Sequence, residues 1–299
     1  MDEKTHQVPV DASEGLFVPE GDDLPQIHAQ ADAGVDNPGQ SVALITGGTA
    51  GIGLASANEL ARLGWSVCLQ HSPACSGSQA QRAVQQAAES AGLDVQVLTK
   101  AADLCDSQQR EQLIEQVLED FGRIDMLVNT AAVAPAAKED LLELTESTYA
   151  ATIENLLTAS LFLTQRVASE MVRLVESGRL ESPKIVTINS INAYTSSVDS
   201  AAQCMGQAAL GMMTQLFADR LGEYGIGVYE VRIGILATAA SDESHARYDS
   251  LIADGLTPIR RWGRPGDAAR AVSAIAQDLL GFSTGQVVNV DGGFHLRRL

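Results

Sequence analysis

From Ser41 onward the chain alternates short apolar runs with stretches whose apolar residues recur at helical spacing. The runs predict strands over Val42–Thr46, Ser66–Gln70, Val95–Thr99, Met126–Asn129, Lys184–Ser190, Gly227–Ile233 and Gln286–Val290. Several are apolar at consecutive positions rather than at every second one. That pattern marks strands covered on both faces, hence a parallel sheet between two helix layers. The periodic stretches predict helices over Gly51–Leu63, Gln79–Ala91, Ser107–Phe121, a long one near Glu146–Glu176, then Ala201–Tyr224 and Asp267–Leu279. Strand and helix alternate in one series without a short internal repeat. The expected fold is α/β: a single doubly wound Rossmann domain over residues 41–299, with a parallel seven-stranded sheet and helices on both faces.

Residues 1–40 break the pattern. They hold nine acidic residues against the single base Lys4, and Pro9, Pro19, Pro25 and Pro38 interrupt any helix. This composition predicts a disordered acidic leader. The whole chain carries a net charge of −18, which argues against nucleic acid or an anionic membrane surface as partner. Cys68, Cys75, Cys105 and Cys204 show neither CxxC spacing nor a neighbouring His cluster, so neither a metal site nor a disulfide framework is expected. With no apolar leader and no run of membrane-spanning length, the expectation is a soluble cytoplasmic protein.

The densest chemical signal follows the first strand, where Gly47-Gly48-Thr49-Ala50-Gly51-Ile52-Gly53 leads into a helix. A strand that turns sharply onto a helix near a pyrophosphate needs residues without Cβ atoms. The helix N-terminus then offers N–H groups and positive dipole to the phosphates. A glycine pattern is weak alone and gains weight from the strand before it and the helix after it.

With its context, TGxxxGIG at Thr46–Gly53 resembles the glycine motif of the short-chain dehydrogenase/reductases. Later signals fall in that family's order: Asp103-Leu104 after the third strand, Asn129-Thr130-Ala131-Ala132 ending the fourth, Asn155 in the long helix, Ser190 ending the fifth strand, Thr238 after Arg232-Ile233-Gly234, and Asp291-Gly292-Gly293 near the end. The resemblance spans about residues 41–299 and looks closest to 3-oxoacyl-[acyl-carrier-protein] reductases. It implies a dinucleotide cofactor held by Gly47, Thr49, Ala50, Gly51, Ile52, Gly53, His71, Ser72, Asp103, Leu104, Asn129, Ala131 and Thr238. It also implies a small carbonyl compound or acyl thioester as substrate. The second strand ends at Gln70-His71-Ser72, with no acid for ribose hydroxyls and no adjacent Arg or Lys for a 2′-phosphate. His71 and Ser72, helped by the more distant Arg82, tip the choice between NAD(H) and NADP(H) toward NADP(H). Ala132 adds a Cβ where the family has Gly, which would weaken cofactor binding.

The pattern breaks at the chemical end. The family places a proton-donating Tyr thirteen residues after its Ser and a Lys four further on. Counted from Ser190, those positions hold Gln203 and Gln207. A phenol can be tuned by a neighbouring cation, whereas an amide exchanges no proton at useful pH. The catalytic set implied by the resemblance is then Asn155, Ser190, Gln203 and Gln207, with the last two unable to act as acid or base, while Asn155 and Ser190 read equally as a residual polar pocket or as helix and strand-end hydrogen-bonding residues. Tyr194 lies close enough in sequence to be weighed as a displaced acid, although lining the pocket is its simpler role. Cys204 reads as a packed thiol. A lid with a helix near Glu243–Asp254 is expected after Thr238.

Three functions stay open. One is a non-catalytic NAD(P)(H)-binding relative, including a subunit that supports an active sister chain. Another is a carbonyl or 3-oxoacyl reductase with an altered proton path. The third is a scaffold that binds no nucleotide. The helix around Leu210–Phe217 presents apolar residues on several faces and needs cover; the resemblance implies that it and the long fourth helix pack against a second subunit, giving a homo- or hetero-oligomer, dimer or tetramer.

Overall fold

All four residues of strand β1 (Val42–Ile45) are buried, and so are all six of β2 (Ser66–His71). Their side chains divide between two apolar clusters. Ala43, Ile45, Val67 and Leu69 meet one layer of helices, and Leu44 and Cys68 meet the other. This is the two-sided burial that consecutive apolar residues require. The computed structural model describes residues 40–130, 139–237 and 242–298, with side chains left out of account at 242–245. The acidic leader up to residue 39, Ala131, Ala132 and Thr238 lie outside the described residues.

The remaining strands are β3 (Val97–Ala101), β4 (Met126–Asn129), β5 (Lys184–Ser190), β6 (Gly227–Ile233) and β7 (Val287–Val290). They form one seven-stranded sheet in the order β3-β2-β1-β4-β5-β6-β7. Every pairing is parallel. Helices α1 (Gly51–Arg62), α2 (Ser78–Ser90) and α8 (Pro265–Ala276) supply Leu60, Val84 and Val272 to one cluster. Helices α3 (Ser107–Phe121), α5 (Ala159–Glu176) and α6 (Ala201–Leu221) supply Ile114, Met171 and Leu221 to the other. Strand order reverses between β1 and β4, and ligands of open α/β sheets bind in the crevice at the carboxyl ends of such strands. No helix of the described residues is long and apolar enough to cross a membrane.

Several element boundaries shift from the sequence expectation, and three of the differences have a visible physical reason. Strand β3 runs two residues later than predicted, because its pairing starts at Val67↔Val97. The long helix is interrupted: α4 (Glu146–Ile153) passes into a five-residue π turn at Glu154–Thr158 before α5 begins. Helix α8 starts at Pro265, ahead of the expected Asp267. There the Asp267 carboxylate accepts from the Arg264 backbone N–H at 2.8 Å and proline occupies the first turn, where its missing N–H is harmless. The helix expected near Glu243–Asp254 is α7 (Asp242–Ala253).

Candidate active site

The phosphate end is built from backbone. Gly47 and Gly51 have φ of 57° and 53°, which glycine alone adopts freely. A Cβ on Gly53 would sit 2.4 Å from the Gly47 carbonyl oxygen, so α1 can approach the loop this closely only with glycine there. Ala50 is the N-cap of α1 and has no side chain to satisfy the first-turn N–H groups. The residues around this helix start are open to solvent, with Thr49 and Ile52 half-buried and Ala50 and Gly51 exposed. Together they make a cradle suited to an anion such as a diphosphate.

Gln70 fixes this cradle, a role the sequence did not announce. It is buried at the end of β2, its Oε1 accepts from the Gly47 N–H at 3.0 Å, and its Nε2 donates to the Ala102 carbonyl at 2.8 Å. A buried amide closing an apolar strand was the available signal. His71 is also buried, with Nδ1 2.9 Å from the Ser72 carbonyl oxygen. The exposed Ser72 hydroxyl accepts from the Ala74 N–H at 3.3 Å. The two side chains proposed to meet a 2′-phosphate are thus already engaged locally.

Asp103 is exposed, and its Oδ1 accepts from the Cys105 N–H at 2.9 Å. Leu104 is buried, and its carbonyl accepts from Arg110 Nη1 at 2.5 Å. Asn129 at the end of β4 donates to Thr164 Oγ1 at 2.9 Å, and the Thr130 N–H donates to Thr46 Oγ1 at 2.9 Å, which ties the ends of β1 and β4 together.

At the chemical end the structure joins some expected residues and separates others. Asn129, Ser190 and Gln207 line one cavity of about 50 Å³, with Leu156, Thr187, Asn189 and Ile233 among its other walls. Gln203 lines a neighbouring cavity of about 20 Å³ with Glu139, Thr152 and Asp199. Asn155 reaches neither. It is exposed, donates through Nδ2 to the Ala151 carbonyl at 2.7 Å, and lies 3.1 Å from Cys105 Sγ. Of the two readings of Asn155, pocket residue or helix hydrogen bond, the contact present in the structure is the helix hydrogen bond. The physical reason is the π turn, which carries both residues, together with the rotation of about 100° between adjacent helical positions. Leu156 is the residue that faces the cavity, and it packs against Gly206, where an added Cβ would meet Leu156 Cδ2 at 2.7 Å.

Behind the cavity runs a polar chain. Asn189 Nδ2 donates to the Gln207 carbonyl and to Glu230 Oε1, each at 2.9 Å, and Arg232 Nε donates to the same Glu230 oxygen at 2.7 Å. The Arg232 guanidinium lies 5.2 Å over the Tyr194 ring. Gly211 leaves room for this ion pair, since its Cβ would come within 3.3 Å of Glu230 Oε2. Cys204 is partly buried, as expected for a packed thiol.

Comparison with known proteins agrees with this geometry. A family described as Enoyl-(Acyl carrier protein) reductase matches residues 47–295. The crystal structure of a 3-oxoacyl-[acyl-carrier protein] reductase from Brucella melitensis in complex with NAD is 33% identical, with a TM-score of 0.80, covering 87% of this chain and 99% of that one. An L-rhamnose-1-dehydrogenase from Scheffersomyces stipitis is 31% identical over 84% of this chain and 95% of its own length. A 3-oxoacyl-[acyl-carrier-protein] reductase from Synechocystis is 29% identical over 84% and 96%. Sheet order, glycine cradle and these likenesses lead to one assignment: the chain belongs to the short-chain dehydrogenase/reductase family.

Proposed function

We propose that this protein binds NAD(P)(H) and that its own chemical step is absent or strongly impaired. The observation that carries the reading is the composition of the Ser190–Gln207 cavity. Its walls are amides, hydroxyls and aliphatic side chains, none of which takes up or releases a proton near neutral pH. Removing a general acid lowers a rate by roughly 10²–10⁴-fold. When bound, the dinucleotide supplies or accepts a hydride. The α1 N-terminus and the Gly47–Gly53 loop hold its diphosphate, Asp103 the adenine, and Ser190 orients a carbonyl oxygen. Gln203 and Gln207 add hydrogen bonds and no proton transfer. The preference for NADP(H) rests on Ser72 and Arg82, because His71 is turned inward.

One observation favours a second reading, a working carbonyl, 3-oxoacyl or sugar oxidoreductase with a non-standard proton donor. Glu139 Oε2 is buried without a hydrogen-bond partner and lines the same small cavity as Gln203. The names of the relatives, reductases of 3-oxoacyl thioesters and dehydrogenases of L-rhamnose, fit that class. The exposed Met205, Met212 and Leu216 along α6 support an oligomer, with either a second copy or a sister chain as partner.

Binding and turnover separate the readings. We expect saturable quenching by NADH or NADPH and less than about 0.01 s⁻¹ with acetoacetyl-CoA or L-rhamnose. Turnover on the order of 1 s⁻¹ or more, as in ordinary enzymes, would falsify the silent site. Loss of that turnover in Glu139→Gln would then identify the donor. In the silent case, Gln203→Tyr with Gln207→Lys should raise turnover at least ~10²-fold.

A further inference from the structure

A cavity of about 310 Å³ opens between the carboxyl end of β7, the last turn of α7 and the first turn of α8. Small-molecule sites occupy roughly 300–1,000 Å³, and this volume falls at the lower end. The cavity shares no wall residue with the Ser190–Gln207 cavity or with that of Gln203. Ile235, Ile252, Ile259 and Val290 make its apolar walls. Asp291 and Thr257 are buried polar groups at its edge, 3% and 4% exposed.

The carboxylates of this cavity are engaged, whereas its donors have capacity left. Asp267 accepts from Arg261, Arg270 and the Arg264 N–H. Asp291 accepts from Tyr194, His295 and the Gly293 N–H. Arg261 donates through Nη1 to Asp267 and the Trp262 carbonyl and through Nη2 to Asp267. Its Nε–H and second Nη2 hydrogen have no partner among the described residues. The exposed Asn289 side chain makes no hydrogen bond among those residues either, and its Nδ2 is a donor. His295 spends Nδ1 on Asp291, and its Nε2 donates when the ring is protonated. The surrounding chain is basic although the protein carries a net charge of −18. Residues 258–299 hold six arginines against three aspartates, and each aspartate already has a partner: Asp267 with Arg261, Asp278 with Lys184, Asp291 with His295. Arg260, next to the wall residue Ile259, is exposed and forms no ion pair among the described residues.

We infer that this cavity binds a small aliphatic monocarboxylate, with its chain against the isoleucines and its carboxylate on Arg261 and Asn289. A guanidinium and an amide present planar N–H groups that match the two oxygens of a carboxylate. An apolar body is required to fill the aliphatic walls, and those walls disfavour a dianion such as phosphate, which would lose more hydration than the open donors return. The site is separate from the dinucleotide cradle and does not depend on the dinucleotide-binding reading.

The test is isothermal titration of the full chain with acetate, butanoate, hexanoate, hexanamide and inorganic phosphate, with and without NADH. Hexanoate should saturate in the millimolar range. Affinity should climb from acetate to hexanoate by up to about fourfold per methylene. Hexanamide, which lacks the charge, should bind at least about tenfold more weakly. Arg261→Lys keeps the charge and loses the fork, and Asn289→Val removes the amide from an exposed strand position. Each should weaken hexanoate about tenfold or more, the yield of a hydrogen bond to a charged group, with NADH affinity unchanged and a melting transition that shows the chain still folds. Loss in either variant assigns the carboxylate to that residue. No saturation by hexanoate at tens of millimolar, equal affinity for hexanamide, tighter binding of phosphate, or unchanged affinity in both variants overturns the site. Competition between hexanoate and NADH overturns it too, since the carboxylate then lies in the dinucleotide crevice. A chain that binds hexanoate and no dinucleotide keeps this site and removes the dinucleotide reading.

Discussion

The Tyr194 hydroxyl donates to Asp291 Oδ2 at 3.4 Å, joining the loop after β5 to the end of β7. Burial, and then the neighbouring Asp291 charge, push the phenol up to about 12. Burial also pushes the Asp291 carboxyl upward, but hydrogen bonds from His295 and from the Gly293 and His295 backbone outweigh it and hold the group below its ordinary value. The acceptor is therefore a carboxylate at neutral pH, and the phenol keeps its proton. This contact gives Tyr194 a bracing role between the two loops. Tyr194→Phe should change any residual turnover less than about twofold, with an unaltered pH profile. A drop on the scale of general-acid removal, roughly 10²-fold or more, would restore Tyr194 to catalysis.

The glycine cradle should tolerate no side chain at residue 53. The Cβ of Gly53→Ala would meet backbone at 2.4 Å, where nothing flexible can yield. Either α1 moves away from the loop or the loop opens. We expect at least tenfold weaker NADH binding and a stability loss of ~1–3 kcal/mol, typical of forced overpacking. Isothermal titration and urea melts read the two effects separately.

Glu230 and Arg232 form an ion pair whose carboxylate side chain is 1% exposed. Removing one partner strands the other. Arg232→Met should cost about 3–5 kcal/mol in urea unfolding, and adding Glu230→Gln should recover part of that loss because no unpaired charge remains. A single-variant cost below about 1 kcal/mol would show that water reaches Glu230 in solution.

Asp267 gives the domain an acid-sensitive contact. The Arg261 hydrogen bond, with help from the Arg264 N–H and the charges of Arg261 and Arg270, holds its carboxyl at about 2 against an ordinary 3.8. A folded value below the unfolded one stabilises the protein above pH ~4, and that stabilisation fades as pH falls from ~4 toward 2. We expect Asp267→Asn to lose ~1–2 kcal/mol at pH 7 and to converge with the wild type near pH 2. Thermal melts across that window check the sign.

Much of the fold was legible because two-sided burial writes itself into consecutive residues. Val42–Ile45 is one such run, and the structure buries all of it. The glycine loop was legible for a similar reason, since close backbone contact leaves few residue choices at Gly53. The facing of Asn155 was less legible. Residue type suggested a polar site residue, but the π turn at Glu154–Thr158 changes the facing of that stretch, and a local hydrogen-bonding slip leaves no periodic signature. Gln70 escaped notice because its two partners, Gly47 and Ala102, become neighbours only when β1, β2 and β3 are side by side. The split of Gln203 and Gln207 between two cavities was equally invisible, since both sit on one helix at a spacing that suggests a shared face.

The contact between Gly206 and Leu156 makes the floor of the Ser190–Gln207 cavity adjustable from behind. A methyl on residue 206 would press on Leu156 Cδ2, the mobile tip of a side chain whose open side is that cavity. Gly206→Ala would thus work as a remote throttle: ligand room shrinks although no lining residue has been exchanged. Reviving proton chemistry at positions 203 and 207 has the same hidden dependence, because a long side chain at 207 competes with Leu156 for one small space.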